Sequence, residues 1–144
     1  MLSGGLFDCH NIYMAYVYLN LNPLNKHTGD CVVRALAFAL NQSWDDTYKQ
    51  LAEKGFERAE MPSWNSAWWA LLEDKGYRRH IIPDTCPNCY TVEDFCRDYP
   101  RGRYVVFIPH SNGHIDHVTA VEDGIVYDTW DSTQEIPLVY WQKE

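Results

Sequence analysis

Residues 32–40 read Val-Val-Arg-Ala-Leu-Ala-Phe-Ala-Leu, apolar at every position except Arg34. Their number and alanine content select a helix over a strand. A helix that is apolar all round has to be covered on every side, so the rest of the chain must wrap it. The preceding residues, Asn25-Lys26-His27-Thr28-Gly29-Asp30, are rich in turn and cap types. They form a loop that delivers Cys31 to the first turn of a central helix, expected over Cys31–Leu40.

A cysteine at that place has chemical consequences. A helix N-terminus carries partial positive charge and free N–H groups. Both favour the thiolate, the reactive form of cysteine. Asp30 opposes it, because a neighbouring carboxylate disfavours a second anion. A strong nucleophile here therefore needs a cation beside it, usually a histidinium. The simpler reading is a small buried apolar residue at a helix start, which is how most free cysteines behave.

The 144 residues suit one domain with its own core, and a hydrophobic content of 46% excludes a disordered chain. The net charge of −8 argues against a broad nucleic-acid footprint. Five cysteines, Cys9, Cys31, Cys86, Cys89 and Cys96, form no regular framework and favour a reducing compartment. No basic segment precedes an apolar run at residues 1–7, and the apolar residues 12–19 are too few to span a bilayer. The expectation is a soluble, cytoplasmic protein without a membrane partner.

Residues 1–11 carry no pattern and read as partly disordered. Residues 12–21 read as a strand, broken by Asn22-Pro23. After the central helix, closed by Asn41-Gln42, Ser43 caps a second helix with Asp46 three residues on. Trp44, Tyr48, Leu51 and Ala52 share its face, and Gly55 stands where a C-cap glycine belongs. A third helix starts near Ser63, with Trp64, Trp68, Leu71 and Leu72 on one face and Gly76 at its end. Its tryptophans read as core. Residues 77–82 are a short strand, and Thr91 caps a short helix through Asp98.

From residue 104 the period changes to two. Strands are expected at 104–108, 115–122, 125–130 and 136–141, with a hairpin around Asp123-Gly124. Pro137 marks the last strand as a sheet edge. Helices first and an antiparallel sheet afterwards make an α+β chain.

Cysteine catalysis requires a histidine to hold the proton and a third group to orient that histidine. With a two-residue Asp123-Gly124 turn, Glu122 faces Ile125, Thr119 faces Asp128 and His117 faces Trp130. His117 and Asp128 are then diagonal neighbours on one face. A one-residue bulge would bring Asp131 there instead, which makes Asp131 the reserve. The Cys31 N–H and the side-chain amide of Asn25 are candidate oxyanion donors, although Asn25 also reads as a turn residue.

A loop asparagine, a helix-start cysteine, a strand histidine and an aspartate on the adjacent strand, in that order, resemble the papain-like cysteine peptidases. The closer likeness is to the small papain-fold domains of phages and bacteria, to which bacteriocin leader peptidases are also similar. The resemblance is carried by Thr28-Gly29-Asp30-Cys31 with Arg34-Ala35, by His117-Val118-Thr119-Ala120-Val121 and by Tyr127-Asp128-Thr129-Trp130-Asp131. It covers the chain from about Asn25 to its end.

The resemblance implies a papain-like fold in which the central helix packs on the C-terminal sheet. It implies Cys31 as nucleophile, His117 as base, Asp128 as orienting residue and Asn25 as oxyanion donor, with no cofactor and a protein or peptide substrate. Papain itself has Gln and Trp where this chain has Asn25 and Val32. Related folds also act as amidases, transglutaminases and deconjugating enzymes.

Two further features have readings of their own. Cys86-Pro87-Asn88-Cys89 has the spacing of half a zinc site, with no second pair in sequence, which leaves Cys96, His80 or His114 to complete it in space. Arg34 reads as a buried structural ion pair with an aspartate. The alternative to catalysis is a papain-fold binding or inhibitor module that retains its Cys and His.

Overall fold

The computed structural model describes residues 15–83, 85–111 and 115–144. It is an α+β structure whose described residues form four helices and a mixed six-stranded sheet. In chain order the elements are β1 (Tyr16–Tyr18), α1 (Cys31–Leu40), α2 (Trp44–Arg58), α3 (Asn65–Asp74), β2 (Tyr77–Ile81), α4 (Val92–Asp98), β3 (Arg103–Ser111), β4 (Ile115–Glu122), β5 (Ile125–Asp128) and β6 (Val139–Lys143). The sheet order is β1-β5-β4-β3-β6-β2. Only the β1–β5 pair is parallel, so the expected antiparallel sheet gains a parallel edge from the N-terminal part of the chain.

The central helix forms at the expected residues and is enclosed. Val32, Val33, Arg34, Ala35, Leu36, Ala37 and Ala39 are buried. Asn41 closes it in the left-handed conformation, with φ 54°. The alternation along β3 divides the core. Val105 and Phe107 point to the side covered by α1, α2 and α3, together with Val118, Ala120 and Trp141. Tyr104, Val106 and Ile108 point to the other side, where Val92, Phe95 and Cys96 of α4 cover them. A helix layer on each face explains why β3 is buried at five successive positions.

Several sequence expectations change. The first strand is limited to three of the residues expected from 12–21, of which 12–14 lie outside the described residues. Helix α2 does not stop at Gly55 but runs on to Arg58 and is capped by Ala59 at φ 56°. Inside the helix, position 55 takes glycine because a Cβ there would stand 2.5 Å from the Glu60 carbonyl oxygen. The buried stripe of α2 is Thr47, Leu51 and Gly55, while Tyr48 is exposed. The last strand is not an edge. Pro137 precedes it, and β6 pairs with β3 on one side and β2 on the other. A proline outside the ladder removes no sheet hydrogen bond, so it leaves the strand free to lie inside. Thr91 and Asp94 close a full reciprocal capping box on α4.

The hairpin keeps its expected register. Glu122 pairs with Ile125, Val121 with Val126 and Ala120 with Tyr127. Asp123 and Gly124 both have positive φ, 51° and 78°, the signature of the tight two-residue turn that Asp-Gly favours. At the opposite end the β3–β4 ladder shifts register between Ile108 and Ser111, immediately past the Ile108–His117 pair. Among the described residues no helix is long and apolar enough to cross a membrane.

Candidate active site

Three chain segments meet at one point. The β4–β5 hairpin sets Thr119 and His117 beside Asp128, and the start of α1 brings Cys31 to the same place. His117 Nε2 is 2.7 Å from Asp128 Oδ2. That contact occupies Nε2 and leaves Nδ1 of the ring for Cys31, with which His117 shares a side-chain hydrogen bond. The indole of Trp130 lies against the imidazole, with ring centroids 4.8 Å apart.

Both oxygens of Asp128 are fully engaged. Oδ2 also accepts from the Thr119 hydroxyl at 2.6 Å, while Oδ1 accepts from Arg34 Nη1 and from the Thr129 N–H, each at 2.7 Å. Arg34 in turn donates from Nε to Asp30 Oδ1 at 2.8 Å. Asp30 Oδ2 accepts from the Asn22 amide and from the Trp44 indole N–H, each at 3.0 Å. The result is a continuous buried ladder from α2 and the N-terminal loop, through Arg34, to the imidazole. Asp128 is 2% exposed, His117 5% and Arg34 9%.

The electrostatics follow from this packing. Burial pushes the Cys31 thiol up, but the hydrogen bond and charge of His117, with a backbone hydrogen bond at Val118 and the charge of Arg34, outweigh it and lower its pKa. Burial would pull His117 down, yet its hydrogen bonds to Asp128 and Cys31 push it up to about 9. Asp128 is raised by burial and lowered further by His117, Thr119 and Arg34, so it stays a carboxylate. Both shifts act in the same sense, each favouring the charged partner: thiolate beside imidazolium.

The group opens into a cleft of about 460 Å³. One wall is the loop from Lys26 to Cys31; Ser63, Trp64 and Asn65 at the start of α3 and Asp116 to Val118 with Trp130 on the sheet side supply the rest. Trp64 is not a core residue. It is 61% exposed on the cleft lip, whereas Trp68, one turn on, is fully buried. The helix face predicted from sequence begins one turn too early, because Trp64 holds the N-cap position with extended backbone.

Asn25 is not brought to this cleft. It lies in a turn at φ 55°, exposed, where its N–H donates to the Asn22 carbonyl and its Oδ1 accepts from Asn20 at 3.2 Å. Short polar side chains that bond their own loop are held there, and this loop holds three asparagines. The side-chain amide on the cleft wall belongs instead to Asn65, whose Oδ1 accepts from the Trp68 indole at 3.1 Å. Asp131 is likewise used locally, accepting from the Thr133 N–H at 2.9 Å, so Asp128 is the His117 partner. The sequence offered no signal for Asn65; Arg34, the lone polar residue of α1, was a visible one.

Cys86 and Cys89 are exposed on a loop away from the cleft, with sulfurs 3.9 Å apart. Among the described residues no group of three or more His, Cys, Asp or Glu side chains is placed to hold a metal ion. Cys96 lies on the buried face of α4, and burial pushes its thiol up to about 12, which sets it apart from Cys31. His114 lies outside the described residues.

The chain matches no protein-family model, no curated protein and no solved structure.

Proposed function

We propose that this chain is a cysteine-dependent hydrolase of amide or isopeptide bonds, of papain-like type, acting on a protein or peptide. The observation that carries the reading is His117 held between Cys31 and a fully hydrogen-bonded Asp128 at the edge of an open cleft. Structural histidines are rarely paired at once with a cysteine at a helix start and with a buried carboxylate. Those are the nucleophile, base and orienting roles of acyl transfer.

In this mechanism the Cys31 thiolate attacks the substrate carbonyl carbon. The carbonyl π electrons move to oxygen, and the oxyanion is received by the Cys31 N–H, with the Asn65 amide as the side-chain donor candidate. His117 passes its proton to the leaving amine as the C–N bond breaks, which leaves a thioester. A water then loses a proton to His117 and attacks the thioester, and the thiolate and imidazolium are restored as the acid leaves. Asp128 stays ionised throughout and fixes the imidazole plane.

The test is the iodoacetamide labelling rate against pH, resolved by site, on wild type and His117→Ala. Labelling at Cys31 that outruns Cys86, Cys89 and Cys96, with a midpoint well below about 8.5 and lost in the variant, is the expected result. Slow labelling of Cys31 in both proteins rejects the hydrolase and favours the non-catalytic binding module.

A further inference from the structure

Arg34 takes no part in the chemistry above, yet it is the side chain on which both carboxylates near Cys31 converge. Its Nε meets Asp30 Oδ1 at 2.8 Å and its Nη1 meets Asp128 Oδ1 at 2.7 Å. A buried cation between two anions is often no more than a structural tie. Two further observations take this one beyond that.

Asp30 is the N-cap residue of α1, but its side chain makes no cap hydrogen bond. Aspartate is among the strongest N-cap residues, and its usual place is on the N–H groups of the first turn. There it would occupy donors beside Cys31 and set a negative charge against the thiolate. Here both Asp30 oxygens are turned away, to Arg34, Asn22 and Trp44. The Asp128 carboxylate, for its part, accepts four hydrogen bonds among the described residues, and the one from Arg34 is the only one of these given by a permanent cation. The same guanidinium thus draws one carboxylate off the helix start and fixes the other against the base.

We propose that Arg34 is a positioning residue of this site: by bridging Asp30 and Asp128 it keeps the first turn of α1 clear of its own N-cap carboxylate and holds Asp128 in line with His117. The proposal rests on the reading of Cys31 and His117 as nucleophile and base. The charged and titratable groups around Cys31 are His117 and Asp128 from the strands, Asp30 and Arg34 from its own helix, and Lys26, His27 and Asp116 around the cleft. Arg34 is the one among them that touches both carboxylates.

The experiment is site-resolved iodoacetamide labelling of Cys31 against pH in wild type, Arg34→Met, Arg34→Lys and the double variant Arg34→Met with Asp30→Asn. Thermal melts are measured in parallel. In Arg34→Met, Asp30 returns to the helix start and Asp128 loses its cation. The acid limb of the profile then moves up by about one pH unit, roughly a tenfold loss of rate at the foot of the limb. The double variant recovers part of that shift, because asparagine caps without charge.

A merely structural Arg34 predicts something else: lower melting temperatures, an unmoved limb, and a double variant no better than the single one. That result overturns the proposal. If Arg34→Met does not fold, Arg34→Lys carries the test. A single ammonium cannot fork between two carboxylates as guanidinium does, so its limb must also move up, and a limb superimposed on wild type is again an overturning result. Slow Cys31 labelling in wild type sinks the nucleophile reading and this proposal together. Fast wild-type labelling with unmoved variant limbs sinks this proposal alone.

Discussion

His117 and Asp128 sit eleven residues apart in sequence and 2.7 Å apart in space, joined across a two-residue turn whose register brings them to one face of the hairpin. The carboxylate keeps the imidazole protonated beside a thiol of lowered pKa. Replacing Asp128 with asparagine removes the charge while keeping the shape. On the proposed hydrolase reading, the expected outcome is a rate on a peptide substrate at least about 100-fold lower, as when a triad aspartate loses its charge elsewhere. The basic limb of the pH–rate profile moves down toward the ordinary imidazole range. Steady-state kinetics at several pH values checks both, and an unchanged basic limb would falsify the orienting role of Asp128.

The ion pair also fixes how stability depends on pH. His117 has a folded pKa of about 9 against an ordinary 6.5, so its own contribution is full below 6.5 and lost as pH rises through 9. Cys31 has a folded pKa below its ordinary 9.0, so its contribution is full above 9 and lost as pH falls through the folded value. Above pH 6.5 the His117 contribution falls with rising pH while the Cys31 contribution rises toward 9, so the two slopes have opposite sign and offset one another. Wild-type stability in urea should therefore depend on pH less steeply there than the histidine alone would make it. In Cys31→Ser the histidine slope stands alone, and stability should fall as pH rises from about 6.5.

Thr119 donates to Asp128 at 2.6 Å from a position that is 1% exposed. Thr119→Val keeps the shape and leaves one carboxylate lone pair unsatisfied. A loss of about 1–3 kcal/mol is expected, read as a lower urea midpoint at unchanged slope.

Gly55 lies inside α2, where alanine ordinarily stabilises a helix by about 0.5–1 kcal/mol. Here the added Cβ would meet the Glu60 carbonyl at 2.5 Å and the Pro62 nitrogen at 3.1 Å, both backbone atoms of the α2–α3 connection. Gly55→Ala should therefore destabilise, by about 1–3 kcal/mol. A gain in melting temperature would contradict the close approach.

Trp64 stands exposed on the cleft lip, outside the apolar core cluster that holds its neighbour Trp68. Trp64→Ala should leave stability within about 0.5 kcal/mol. With a peptide substrate KM should rise several-fold while kcat moves less, because the side chain can bind substrate without touching the reacting atoms. A fall confined to kcat would instead place Trp64 in the chemistry.

What the sequence determined was local. The apolar run from Val32 fixed the central helix and its burial. The Asp-Gly pair fixed the hairpin register, and through the pleat that register placed Thr119, His117 and Asp128 together. Such features depend on periods of 3.6 and 2 and on turn chemistry, all written within about a dozen residues.

Tertiary structure decided the rest. Nothing local could show that β6 lies inside the sheet, or that β1 adds a parallel strand beside Asp128. Nor could it show that the Asp30 side chain would turn from its cap position to Arg34, Asn22 and Trp44, or that the cleft amide would be Asn65 rather than Asn25. Each of those outcomes is a choice among competing partners, most of them distant in sequence. The choice is made by which buried charges and amides find a geometry that satisfies them all, and that balance exists only once the layers have packed.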